Sequence, residues 1–186
     1  MVVLGSSSPR RICLLKTIVD DFKIVKPTFD EKLVPLDDPH YALTEAKNKA
    51  LSLKTLVNPQ DLLICCDTIV VLDKEIFGKP KDEKDAYRIL KTLNGNTHKV
   101  ITGYTITYCG KTIEKEIVSY VTFKKLRREE LLHYIQNENV MDKAGAYAIQ
   151  DDEKFHIIQK IKGSLTNIMG FPIESISDDL KSFNII

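Results

Sequence analysis

Apolar residues in this chain fall into two textures: short continuous runs of strand length, and stripes that recur at three- and four-residue steps. Val2–Leu4 is a short buried strand that gives way to Gly5-Ser6-Ser7-Ser8. Ser8 followed by Pro9 predicts a helix start, because serine caps and a proline at the first helical position has no N–H to leave unsatisfied. That helix puts Ile12, Leu15, Ile18 and Val19 on one buried face. Phe22–Lys26 is predicted as a second strand, stopped by Pro27. A longer helix starts at Asp38-Pro39 and carries Leu43, Ala46, Ala50, Leu53 and Val57 before Asn58-Pro59 closes it. Leu62–Cys66 reads as a central strand that delivers Asp67 and Thr68 at its end, and Ile69–Leu72 continues extended to a turn at Asp73-Lys74. Asp82 caps a helix with Ala86, Ile89, Leu90 and Leu93 inward and Asn94-Gly95 at its end. Lys99–Tyr108 and Thr112–Lys124 flank Cys109-Gly110-Lys111 as a long antiparallel hairpin. Arg128–Gln136 is helical, Lys154–Ile161 a strand, and Pro172 opens a last helix to Phe183. This order predicts an α/β fold: a central mixed sheet with helices packed on it and a cleft where the loops gather.

Composition narrows the class. The 186 residues favour one domain over 1–186, large enough to bury roughly 70% of the unfolded surface without disulfide or metal staples. No apolar run approaches the ~18 residues of a membrane span, and the N-terminal stretch has its apolar part first and its charges after, the reverse of a secretory signal. A cytoplasmic location is therefore expected, with no membrane partner. Lys plus Arg number 27 against 26 Asp plus Glu, so no general field attracts nucleic acid, and recognition of phosphate has to be local. Cys13, Cys65, Cys66 and Cys109 form neither a CxxC pair nor a zinc spacing; Cys65 and Cys66 read as small buried hydrophobes. The four histidines make no HExxH motif.

Five segments carry candidate chemistry. In Gly5–Arg11, between a strand and a helix, helix N–H groups and serine hydroxyls attract anions, while Arg10 and Arg11 offer forked bonds to phosphate. The same residues also describe an ordinary helix start with solvated arginines. Asp67-Thr68 follows an apolar strand, where open α/β sheets place ligands, although an aspartate there also serves as a cap. Gly78-Lys79-Pro80 fixes a lysine between two backbone punctuators; a surface lysine in a turn looks the same. Asp142–Gln150 is rich in small residues that permit close backbone approach to a ligand, or plain chain-on-chain packing. Lys49 flanks its helix stripe, and Glu31 sits in a loop after Phe29. The mixed charges of Lys124–Glu130 read as a solvated face.

Taken together and in this order, the segments resemble the Maf family of nucleotide pyrophosphatases. Leu4–Leu15 follows the family's LASxSPRRxxLL; Glu31 and Lys49-Ala50 follow its acidic and KA steps. Asp67–Pro80 follows DTIVxLDxxIxGKP, Leu93–Gly103 follows LxGxTHxVxTG, Asp142–Gln150 follows DKAGAYGIQ, and Gly163–Pro172 follows GSxxNxxGxP. The resemblance implies an α/β fold with a deep cleft, similar to the inosine-triphosphate pyrophosphatases, and a homodimer. It implies hydrolysis of a nucleoside triphosphate between its α and β phosphates with Mg²⁺ or Mn²⁺. Asp67 would activate water, Glu31 and Asp67 would hold the metal, and Ser6, Ser8, Arg10, Arg11, Lys49, Thr68, Lys79, Lys143 and Gln150 would bind the substrate. Arg10, Thr68 and Gln150 stand as in the branch that prefers dTTP and UTP. The alternatives are a pyrophosphatase for 7-methyl-GTP or deaminated purine triphosphates, or a nucleotide-binding regulator of cell division without turnover. Three positions depart from the pattern: Gly5 replaces Ala, which is expected only to loosen the first loop, while Ala148 and Asp151 each replace Gly around the presumed base pocket.

Overall fold

The computed structural model describes residues 1–29 and 33–186. Seven strands form one mixed sheet in the order β2-β1-β3-β5-β6-β7, with β4 paired to β3. Strands β1 (Val2–Leu4), β2 (Phe22–Ile24) and β3 (Leu62–Leu72) run parallel, with Val2 opposite both Phe22 and Leu62. Strand β4 (Glu75–Phe77) folds back antiparallel on β3. Strands β5 (Thr97–Tyr108) and β6 (Lys111–Phe123) form the expected hairpin, joined by Cys109-Gly110. Both turn residues have positive φ, 48° and 78°, as a two-residue hairpin turn demands. Strand β7 (Ile158–Lys162) pairs antiparallel with β6.

The described residues divide into two compact units, the first built from 1–68, 102–117 and 166–186 and the second from 69–101 and 118–165. In the first unit, β1 and β3 are buried on both faces, the mark of a central parallel strand. Val2, Leu4, Leu62, Ile64 and Cys66 meet Leu15, Tyr104, Phe171, Ile176 and Leu180 on one side. Val3, Leu63 and Cys65 meet Leu53 on the other. Helix α1 (Pro9–Leu15) buries Leu14 and Leu15, and Val19 is buried beyond its end, while Ile12 and Ile18 are only half-buried. Helix α2 (Tyr41–Ser52) starts later than predicted, because the Asp38 carboxylate accepts the His40 N–H at 2.8 Å and the Thr44 hydroxyl at 2.8 Å and holds 38–40 as a turn. It lies directly on β5, where a Cβ on Gly103 would stand 2.3 Å from Leu43 N. The short helix α6 (Leu165–Ile168) was not predicted, and α7 (Ile173–Ser182) opens after Pro172 as expected. The buried Tyr104 hydroxyl bonds Ser175 and Asp179, both at 2.6 Å, and so ties α7 to β5.

In the second unit, α3 (Glu83–Leu93) follows the sequence reading residue for residue. Asp82 accepts the Asp85 N–H at 2.8 Å, and Ala86, Ile89, Leu90 and Leu93 are buried. Helix α4 (Arg128–Asn137) packs against it, and Glu130 reaches back to the Arg127 N–H at 2.8 Å. The charged residues of 124–130 are all exposed and only Leu126 between them is half-buried, in keeping with a solvated face. The strand expected from Lys154 begins four residues later, because Asp152–Phe155 forms a short helix, α5. There the Asp152 carboxylate accepts the Ile158 N–H at 2.6 Å, and His156 takes a left-handed φ of 52°.

Candidate active site

Asp67 and Thr68 lie inside β3, not beyond its end: the strand runs unbroken through both to Leu72. Their side chains are served by other elements. Helix α2 buries Ala42, Glu45, Ala46 and Lys49 along one stripe, so two charged residues share the face that periodicity assigned to apolar ones. The Lys49 ammonium donates to Asp67 Oδ1 at 2.5 Å and stands 4.0 Å from Glu45 Oε2. Asp67 Oδ2 has no hydrogen-bond partner among the described residues, and the Asp67 side chain keeps 14% of its surface exposed. Sinking a lysine and two carboxylates costs desolvation that an apolar trio would not, so this cluster is a weak source of stability and a candidate for chemistry.

Thr68 is fixed by a second set of contacts. Arg11, on α1, donates through Nε to Gly170 O at 2.9 Å and through Nη2 to Thr68 Oγ1 at 3.1 Å. Thr68 Oγ1 lies 3.0 Å from Thr102 Oγ1, which bonds Asn167 O at 3.2 Å. Gly170 has φ 96°, and a Cβ there would sit 3.1 Å from Thr68 Oγ1, so only glycine fits this approach. Before α1, Gly5 N donates to Ile64 O at 2.8 Å, and the buried Ser6 hydroxyl accepts the Ser8 N–H at 3.2 Å. Ser8 occupies the cap position through its carbonyl, which accepts the Ile12 N–H at 3.0 Å, but its hydroxyl does not cap. Gly5 does not loosen this loop: a Cβ would stand 2.3 Å from Cys65 Sγ, so the cysteine fills the space an alanine methyl would need. Burial pushes the Cys66 thiol up to about 12 and the Cys65 thiol upward as well, which keeps both protonated and inert, as read from the sequence.

Lys79, Lys143 and Gln150 belong to the second unit. Lys79 is exposed between buried Phe77 and Pro80, and the preceding carbonyl of Gly78 accepts the Gly145 N–H at 3.1 Å. Lys143 is turned back on its own loop, donating to Asn139 O and to Asp142 Oδ1 at 3.0 Å. Gln150 is exposed in a single turn of 3₁₀ helix, Ile149–Asp151. His98, which no motif argument singles out, is buried and shares a 2.7 Å hydrogen bond with the Tyr147 hydroxyl.

Among the expected site residues, the structure thus joins Lys49 to Asp67 and, in a separate set of contacts, Arg11 to Thr68. Arg10 sits half-buried beside Arg11 on α1, and Glu31 lies outside the described residues. Glu45, Thr102, Asn167 and Gly170 join the cluster without having been expected. Thr102, Asn167 and Gly170 lie within two of the quoted motifs, the one signal that pointed to them. Among the described residues no group of three or more His, Cys, Asp or Glu stands ready to hold a metal ion, and no helix is long and apolar enough to cross a membrane.

A mixed sheet with this strand order places the chain in a known α/β class. It is similar in fold to the Ham1 protein of Staphylococcus aureus, with a TM-score of 0.55 at 11% identity over 98% of each chain. It is also similar to a HAM1 protein from Coxiella burnetii, with 0.51 at 12% over 97% and 98%. The family is narrower than the fold: residues 1–183 match the model of the Maf-like proteins, and the chain belongs to that family. Among its relatives, a dTTP/UTP pyrophosphatase of Thermosipho africanus is 40% identical over 179 residues, 96% of this chain and 91% of that protein. One from Clostridium botulinum (strain 657) is 37% identical over 99% and 97%, and one from Clostridium perfringens is 35% identical over the same shares.

Proposed function

We propose that this chain is a nucleoside triphosphate pyrophosphatase that prefers dTTP and UTP and releases the monophosphate and pyrophosphate. The observation that carries the reading is Asp67: a carboxylate held on one oxygen by buried Lys49, with the other oxygen unbonded among the described residues, next in sequence to an arginine-anchored threonine. Water attacks the α-phosphorus, the bond to the α–β bridging oxygen breaks, and pyrophosphate leaves while Asp67 takes the proton from the water. Lys49 stabilises the carboxylate before the step, and the Arg10–Arg11 pair opposes the charge that gathers on phosphate oxygens. Names of the relatives support the substrate class.

The donor set fits Mg²⁺ or Mn²⁺. Such ions take one or two carboxylates and fill the remaining positions with substrate phosphates and water, so Glu31 would hold the ion, with the second oxygen of Asp67 as a further ligand only where Asp67 does not itself take the proton. When bound, the ion would neutralise phosphate charge and acidify a water. For the base, the Gln150 amide offers a donor and an acceptor, which suits the neighbouring N–H and C=O of uracil or thymine; a carboxylate there would only accept. A pyrophosphate-release assay over dTTP, UTP, GTP, ITP and 7-methyl-GTP with either metal tests the reading. We expect the highest kcat/KM for dTTP and UTP, with Gln150→Glu eroding the preference. Faster turnover of 7-methyl-GTP than of UTP would overturn the base assignment, and no release from any nucleotide would overturn the enzyme.

A further inference from the structure

Asp151 stands where the family pattern has glycine, immediately after Gln150, and a new carboxylate there competes for the amide or for the base. The structure gives that carboxylate another occupation. Tyr134, on α4, is 1% exposed, and its hydroxyl meets both sides of the Gln150 turn. It accepts the Ala148 N–H at 3.1 Å and donates to Asp151 Oδ2 at 2.5 Å. The ring is held edge-on against Phe155, centroids 5.0 Å apart, so the hydroxyl has little freedom to leave. A backbone bond from Asp151 N to Ala148 O at 3.2 Å closes the turn between the two anchored residues. One hydroxyl therefore brackets residues 148–151, with the Gln150 side chain exposed between the two anchored residues.

We propose that Tyr134 and Asp151 form a clamp that sets the Gln150 amide in place, making Tyr134 a positioning residue for base selection. The inference rests on the reading of Gln150 as the base-contacting residue. Asp151 in this setting is part of the support for Gln150, because the bond from the tyrosine to Oδ2 holds its carboxylate on the clamp. A fixed amide discriminates between hydrogen-bond patterns, whereas a mobile one turns to suit either, so loosening the clamp acts on selectivity and on KM before it acts on kcat.

The test combines kinetics with amide hydrogen exchange on the full chain. Tyr134→Phe keeps the ring and removes the hydroxyl. We expect the UTP to 7-methyl-GTP ratio of kcat/KM to fall about tenfold, mostly through a higher KM for UTP. Exchange at the Ala148 amide should rise by about tenfold, the worth of one lost hydrogen bond. Asp151→Asn keeps an acceptor for the tyrosine and should retain the ratio, whereas Asp151→Leu should lose it. An equal drop in kcat on both nucleotides, with the ratio and the Ala148 exchange unchanged, would overturn the clamp. Gln150→Glu separates the two claims. If it leaves the ratio unchanged, the base-contact reading falls and this inference with it; a ratio that answers to Gln150→Glu but not to Tyr134→Phe overturns the clamp alone.

Discussion

The role proposed for Asp67 belongs to its carboxylate. Asp67→Asn preserves size and the polar contact with Lys49 but removes the proposed base, so turnover should fall by ~10²–10⁴-fold with the melting temperature little changed. A folded variant with wild-type kcat in the release assay would remove Asp67 from the reaction. The cations expected to meet the substrate divide into two kinds. Lys79 is exposed and its neighbours are held by Phe77, Pro80 and the Gly78 carbonyl, so Lys79→Ala should weaken turnover and leave thermal stability alone. Arg11 also carries structure, because it joins α1 to Gly170 and Thr68. Loss of both charge-assisted bonds in Arg11→Ala should cost about 1–2 kcal/mol in denaturant unfolding, besides the kinetic defect. Equal stability of the two variants would show that the Arg11 bonds carry no weight in the fold.

Among the elements, α3 was fully legible because cap, stripe and stop all agree, whereas α2 was not. Its buried stripe includes Glu45 and Lys49, and hydrophobic periodicity has no means of placing a charge on an inward face. The same limit hid the unity of β3: Asp67-Thr68 looks like the end of an apolar run, yet the strand passes through it because Lys49, Arg11 and Thr102 satisfy the polar groups there. Gly170 and Asn167 act through backbone carbonyls, which every residue has, so nothing in their side chains announced the role. In the β5–β6 hairpin, His98 is edge-on to Phe123 and Tyr147 at 4.9 and 5.4 Å, and burial lowers its pKa to about 4 from an ordinary 6.5. The unfolded chain therefore binds the extra proton between those two values, and stability should fall as pH drops from 6.5 to 4, by roughly 2–3 kcal/mol at the lower end. His40 acts in the opposite sense, its pKa raised by the bond to Glu116, with a contribution present at low pH and lost as pH rises through that raised value. Denaturant melts across this range should show the acid loss in the wild type and a weaker slope in His98→Gln; identical slopes would exclude His98 as its source.

Across the whole chain, charges nearly cancel, with a net +1, while a bound triphosphate concentrates several negative charges at one place. Attraction must come from local groups, and two of the expected cations are already engaged: Lys49 with Asp67, and Arg11 with Gly170 and Thr68. Cations arriving with the substrate would make up the difference, and this is why turnover is expected to need Mg²⁺ or Mn²⁺. The fold makes no such demand. Leu4, Leu15, Ile64 and Phe171 in one unit and Phe77, Leu90, Leu93 and Phe123 in the other are all essentially inaccessible to solvent. A chain of this length closes such cores on apolar area alone. Metal should therefore separate activity from stability. Exhaustive treatment with EDTA should abolish pyrophosphate release, and added Mg²⁺ or Mn²⁺ should restore it. The melting temperature of the substrate-free protein should stay within about a degree throughout, since a ligand that binds weakly without nucleotide shifts unfolding little. Full activity after chelation would sink the metal requirement, and a large drop in melting temperature would show instead that the ion is a structural part of the fold.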